Sequence, residues 1–235
     1  MVEKLDIQES NGFRWKEADA YLFDIDGTLL LSRDRIHRYA LHRAMLDVYG
    51  LEATIDGIAY HGKTDPGILR AALERGGIAT EVIDHKMKEA LEVIRRDSAE
   101  QADRFNPNVL PGIPEVLELL QSKGKLLGVS SGNLESIGWL KLKAAGLRKF
   151  FEFGCFADDC ELREHIFRQA AAEVHRRLGP AAIVCFVGDT PDDVRAARVV
   201  GGKVIAVGTG IFKVQDLAAL GADATVPSCA ELLTL

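Results

Sequence analysis

Two aspartates separated by a single residue, Asp24 and Asp26, stand in the run FDIDGTLL (23–30), where an apolar stretch meets Gly27 and Thr28. In an extended chain, positions i and i+2 point to the same side, so both carboxylates face one site. Held that close, each raises the other's pKa unless a cation intervenes. A further carboxylate, Asp189, lies in the run VGDTPDDVRAA (187–197). Asp24, Asp26 and Asp189 together make an oxygen-rich cage suited to Mg²⁺, which prefers hard oxygen ligands and keeps several waters. Such a cation screens a dianionic phosphate from a carboxylate nucleophile, an approach that is otherwise repulsive. A third polar group, Ser131, Gly132 and Asn133, closes the run LLGVSSGN (126–133). Gly27 and Gly132 let backbone N–H groups approach phosphate oxygens, and Ser131 can donate a further hydrogen bond. Taken singly, Ser131 reads as a cap, and Asp192 or Asp193 reads as the cap of a helix starting at Pro191. Their joint occurrence points to phosphoryl transfer.

These residues need a frame that brings distant segments together. Short apolar runs at 20–25, 125–131, 182–188 and 203–207, with a weaker one at 224–226, read as strands. Helical patterns at 113–123, 134–145, 163–178, 191–200 and 214–219 separate them. Strands alternating with helices imply right-handed crossovers and a Rossmann-like parallel sheet in a three-layer α/β/α arrangement. In such sheets ligands bind at the carboxyl ends of the strands, where all three polar groups fall. Residues 33–106 break the alternation with three helical segments, near 34–49, 65–76 and 80–103. The first carries Ile36, Tyr39, Ala40, Arg43, Met45 and Leu46 on an imperfect amphipathic face and meets a stop at Gly50. NPNVLPG (106–112) reads as punctuation. The expected division is a core of residues 1–32 and 107–235 with a helical cap subdomain at 33–106.

A net charge of −6 argues against a general nucleic-acid or membrane surface. No apolar run approaches the roughly 20 residues that span a bilayer, and the polar opening MVEKLDIQES is not a secretory signal. Cysteines at 155, 160, 185 and 229 form no CxxC pair and read as free thiols of a cytoplasmic protein. The expected partner is a small phosphorylated substrate; monomer and homodimer both stay open.

Residues 20–233 resemble the haloacid dehalogenase superfamily, especially its phosphoglycolate phosphatase-like branch. FDIDGTLL is similar to its first motif, DxDGT; LLGVSSGN to its second, with the phosphate-binding hydroxyl at Ser131; and VGDTPDDVRAA to its fourth, with Asp193 supporting the site. The resemblance implies that Asp24 attacks phosphorus while Asp26 serves as acid and then base. It also implies that Mg²⁺ is held by the Asp24 carboxylate, the Asp26 backbone carbonyl and Asp189. One departure stands out: the third motif usually supplies a lysine, and none lies between Lys149 and Lys203. Arg163, in DDCELREHIF (158–167), is the nearest substitute, whereas Arg168, Arg176 and Arg177 should point away. In HGKTDPGIL (61–69), where family members often carry Gly-Lys/Arg-Thr-Asp, Lys63 could reach a substrate anion. A phosphomutase of the β-phosphoglucomutase type, or an inactive binding or regulatory homologue, remains the alternative.

Overall fold

Strand β1 (Ala20–Phe23) is apolar along its whole length because it is covered on both faces. It is followed in the chain by β2 (Leu30–Ser32), α1 (Ile36–Tyr49), α2 (Asp65–Arg75), α3 (Thr80–Glu100), β3 (Pro107–Val109), α4 (Ile113–Ser122) and β4 (Leu126–Ser130). Then come α5 (Glu135–Ala144), β5 (Phe153–Cys155), α6 (Arg163–Leu178), β6 (Val184–Gly188), α7 (Pro191–Val199), β7 (Lys203–Val207), α8 (Val214–Ala219) and β8 (Ala224–Val226). The structure, a computed structural model, describes residues 14–32 and 34–235. The reading of the first residues as a non-signal segment, and the boundary placed at residue 33, fall outside the described residues.

Among the described residues the main sheet has six strands in the order β5-β4-β1-β6-β7-β8, and every pairing is parallel. Side chains alternate between its faces. Tyr21, Phe23, Leu127, Val129, Val187 and Ile205 pack with Ile113, Val116 and Leu117 of α4 and Leu142 of α5. Leu22, Val184, Phe186 and Val204 pack on the opposite side with Phe167 and Val174 of α6 and Val194 of α7. This is the expected three-layer Rossmann-like arrangement. From β1 the chain builds outward first through β4 and β5, then through β6, β7 and β8. The order therefore reverses beside β1, the place where such sheets bind ligands. Phe23 lies level with Val129 of β4 and Val187 of β6, so the residues after these strands emerge side by side.

Helices α1, α2 and α3 share an apolar cluster that includes Leu41, Met45, Leu69, Leu73, Ile83 and Ile94, and Leu134 and Ile137 at the start of α5 join it. Gly50 ends α1 in the left-handed conformation that its missing side chain permits. The buried stripe of α1 runs through Ile36, Ala40, Leu41, Ala44, Met45 and Val48, while Tyr39 and Leu46 are exposed. The buried face is thus rotated from the one the sequence pattern marks, because the small Ala44 packs inward while the large Tyr39 and Leu46 face solvent. At the base of the helical segment, β2 and β3 pair antiparallel, Leu30 opposite Val109 and Ser32 opposite Pro107. The NPNVLPG segment is therefore part strand, with a proline at the strand's first position, where its lack of an N–H does least harm.

Candidate active site

Asp24 follows β1, and its backbone N–H continues the ladder by donating to the Val187 carbonyl at 2.9 Å. Asp189 follows β6 and receives the Thr28 hydroxyl at 3.1 Å. Two glycines make room for it: a Cβ on Gly27 would stand 2.4 Å from Asp189 Oδ2, and one on Gly210 would stand 1.8 Å away. Gly27 also holds φ of +88°, where a side chain is strained. Asp193 sits at the third helical position of α7 and exchanges hydrogen bonds with Thr190, closing a capping box. Its other oxygen receives Arg163 Nε at 2.7 Å. The helix cap and the hold on Arg163 thus coexist in one side chain.

Oxygens of Asp24, Asp189 and Asp193 lie within 4.8 Å of one another, and all three residues are buried. The carboxylate of Asp26 is not among them. Its Oδ2 receives Lys141 Nζ at 2.6 Å and Asn133 Nδ2 at 2.8 Å, because a lysine ammonium pulls it toward α5. The cage expected of Asp24, Asp26 and Asp189 side chains is therefore built from Asp24, Asp189 and Asp193.

Arg163 opens α6, an end of the helix where the dipole disfavours a cation, and is held there by carboxylates. Its Nη2 stands 3.0 Å from Asp24 Oδ1 and 2.5 Å from Asp193 Oδ1, an ion pair with both carboxylates that includes no hydrogen bond of good angle. Ser131, Gly132 and Asn133 follow β4 on the other side of β1. The Ser131 hydroxyl receives Asn133 Nδ2 at 2.9 Å. Asn133 is thus engaged with Asp26, Ser131 and Lys141 rather than free for phosphate. Lys63 is half-exposed and pairs with Asp192 at 2.7 Å. A cavity of about 480 Å³ connects these groups, walled on the helical side by His37, Leu41, Ile55, Tyr60 and Ile68.

A family model described as haloacid dehalogenase-like hydrolase matches residues 18–201. The chain belongs to the haloacid dehalogenase-like hydrolases. A phosphoglycolate phosphatase of Nitrosospira multiformis is 25% identical over 224 residues, 92% of this chain and 94% of that protein. A phosphoglycolate phosphatase of Caulobacter vibrioides is 31% identical over 175 residues, 70% of this chain and 73% of that protein. CbbY of Rhodobacter sphaeroides, solved in complex with phosphate, superposes with a TM-score of 0.69 at 21% identity, covering 92% of this chain and 96% of that one. At that identity the superposition speaks for the fold alone. By its family and curated relatives the chain is a phosphatase of this family, a phosphoric monoester hydrolase similar to phosphoglycolate phosphatases. Among the described residues of this hydrolase no helix is long and apolar enough to cross a membrane.

Burial pushes the Asp24 carboxyl up to about 6; Arg163 opposes that rise, and the Asp193 and Asp26 charges add to it. Asp189 rises to about 8, through burial first and then the Asp193 and Asp24 charges. Asp26 moves the other way: burial would raise it, but the charge and hydrogen bond of Lys141 hold it below the usual range. A group whose pKa is raised by folding adds stability below its unfolded value and loses it as pH climbs through the folded value. Asp24 and Asp189 should therefore withdraw stability from the metal-free hydrolase between roughly pH 4 and pH 8, against the smaller opposite contribution of His42 and His61, whose burial lowers their pKa. Thermal melts at fixed ionic strength check this; a flat profile over that span would contradict the buried carboxylate cluster.

Sequence reasoning passed over two side chains of this hydrolase, Lys141 and His37. Lys141 carried a legible signal. In α5 it falls on the buried stripe with Ile137, Gly138 and Leu142, where a lysine is out of place unless it meets an opposite charge. His37 carried none beyond its type.

Proposed function

We propose that this protein hydrolyses a small phosphate monoester through a phosphoenzyme formed on Asp24. The reading rests on one observation above all. Asp24 is a buried carboxylate at the meeting point of three parallel strands, with the Arg163 guanidinium at 3.0 Å and the cavity in front of it. An Asp24 oxygen attacks phosphorus, the bond from phosphorus to the leaving oxygen breaks, and Asp26 gives that oxygen a proton. Asp26 then takes a proton from water as the water oxygen attacks phosphorus, the bond to Asp24 breaks, and inorganic phosphate leaves. The depressed pKa of Asp26 suits the second role directly. For the first, the arriving dianion favours proton uptake by a neighbouring carboxylate. Ser131, with the backbone N–H of Gly132, would hold the phosphoryl oxygens; the Gly27 N–H expected beside them instead donates to the Leu30 carbonyl at 2.9 Å, closing the turn after β1. Lys63 lies at the rim, where release from Asp192 would free it for a substrate anion.

The donor set fits Mg²⁺. Asp24 and Asp189 are hard oxygen donors, and the single positive charge of Arg163 leaves the three clustered carboxylates undercompensated. The Asp26 backbone carbonyl would complete the protein's share, with Thr28 and Asp193 orienting the carboxylates. Bound there, the cation would offset charge on the phosphoryl group and the nucleophile. Activity is expected to vanish on chelation and return with Mg²⁺. Ca²⁺ should inhibit, since its larger coordination sphere accepts both Asp24 oxygens and ties up the nucleophile. Undiminished turnover after exhaustive chelation would remove the metal from this account.

The substrate reading follows the relatives, whose names put 2-phosphoglycolate first. The helical segment 33–106 acts in this reading as a cap over the site, in a cytoplasmic enzyme. Phosphate release measured across a panel of phosphorylated metabolites tests it. Conversion of a sugar phosphate to its isomer without phosphate release would favour the mutase alternative instead.

A further inference from the structure

Lys141 is 2% exposed and spends its three N–H donors inside the protein. They point to Asp26 Oδ2 at 2.6 Å, Asn133 Oδ1 at 2.9 Å and His37 Nδ1 at 3.3 Å. An ammonium can only donate, so Nδ1 of His37 accepts and Nε2 is left to donate to Asp65 Oδ2 at 3.0 Å. Asp65 in turn receives the Leu134 N–H at 2.8 Å, at the start of the helix that carries Lys141. A closed circuit thus runs from Asp26 through Lys141 to α1 and α2 and back to α5. Nothing in the phosphoryl-transfer account uses Lys141 or His37.

The geometry points to Lys141 as the positioning residue of Asp26, with His37 and Asp65 making that position depend on the helical segment being seated on the core. This rests on the proposed phosphatase reading and adds to it. Asp26 stands two residues after Asp24, so its carboxylate starts from the side of the chain that faces the buried cluster. Lys141 and Asn133 both take Oδ2 and draw it aside, while Oδ1 keeps only Ser32 at 3.3 Å. Oδ1 is the oxygen left for the reacting proton. Without the ammonium, the carboxylate is free to turn toward a cation at Asp24 and Asp189, where it can serve neither leaving group nor water. Since Lys141 has no donor left for substrate, its loss should act on turnover rather than on binding.

Lys141→Met keeps the length and apolar stem of the side chain and removes the charge. It should lower kcat by about 10²-fold, the scale of lost acid–base assistance, with KM within about threefold. With p-nitrophenyl phosphate, whose leaving group needs no proton, the first displacement should stay fast while hydrolysis slows. A burst of p-nitrophenol approaching one per site should then appear, with labelled phosphate held on the protein. Lys141→Arg should recover part of the loss. In an Asp26→Asn background, Lys141→Met should change kcat by no more than about threefold, because both substitutions remove the same function. His37→Phe, which cuts only the link to the helical segment, should show the same burst with a smaller fall in kcat, and serves if Lys141→Met fails to fold. Parent-like kcat and no burst in both Lys141→Met and His37→Phe would overturn the inference. Additive losses in the double variant would do the same. The underlying phosphatase reading is judged separately, by phosphate release from the parent protein and its loss in Asp24→Asn.

Discussion

Asp24→Asn should release no phosphate above background, a fall of at least about 10⁴-fold in kcat, while melting no earlier than the parent protein. The amide cannot attack phosphorus, so no phosphoenzyme forms, whatever the leaving group. The stability half of the expectation comes from the surroundings. Asp24 is buried beside Asp189 and Asp193, and its charge helps to raise the Asp189 carboxyl. An amide of the same shape removes that repulsion. Arg163 loses one partner but keeps Asp193, which holds its Nε at 2.7 Å. In metal-free protein near pH 8 the variant should therefore be as stable as the parent or more so. This separates a lost nucleophile from a damaged fold. Asp26→Asn should behave differently, slowing turnover by about 10²–10⁴-fold without abolishing it. Labelled phosphate trapped on Asp26 would reverse the two assignments.

The parts of the site that were legible in the sequence are those fixed by strand ends. Asp24, Ser131 and Asp189 each follow a continuous apolar run, and a parallel sheet brings such positions together by its connectivity alone. What the pattern could not convey was side-chain direction. The two-residue spacing of Asp24 and Asp26 predicts a shared face, but Lys141 draws the Asp26 carboxylate out of the cluster, and Asp193 takes its place. That exchange depends on a lysine 115 residues further along the chain, beyond the reach of any local period. The fold shows the same division. Five strands of the main sheet were legible as apolar runs, whereas β5, as short as β8, is only partly buried after Phe153 and lacks the continuous apolar run that marks a buried strand. Strands β2 and β3 were hidden by their length and by the prolines around β3, although their pairing ties the two ends of the helical segment together. Arg163 is the nearest basic residue where the family usually has a lysine, and its Nη2 lies 3.0 Å from Asp24 Oδ1.

Replacing Arg163 by alanine should damage both stability and turnover, and the two losses have one electrostatic origin. Arg163 is 7% exposed and lies between Asp24 and Asp193, holding a helix start where a cation is otherwise disfavoured. Removing one partner of a buried ion pair leaves the other charges uncompensated and costs about 3–5 kcal/mol. Here the abandoned groups are three neighbouring carboxylates, so the loss should deepen as pH rises and shrink when Mg²⁺ is added. For turnover, Nη2 is the protein's own cation at the point where a phosphoryl oxygen would arrive, and its removal should lower kcat/KM on the order of 10²–10³-fold. Inorganic phosphate should become a weaker competitive inhibitor by a similar route. Arg163→Lys should recover only part of either loss, because an ammonium lacks the planar fork that lets one guanidinium meet Asp24 and Asp193 together. Arg168→Ala, on the exposed face of the same helix, supplies the comparison and should change neither quantity measurably. Equal and small effects at positions 163 and 168 would reduce Arg163 to a helix residue with no part in phosphate chemistry. A large stability loss with unchanged kcat/KM and phosphate inhibition, measured below the melting temperature, would leave it a purely structural counter-charge.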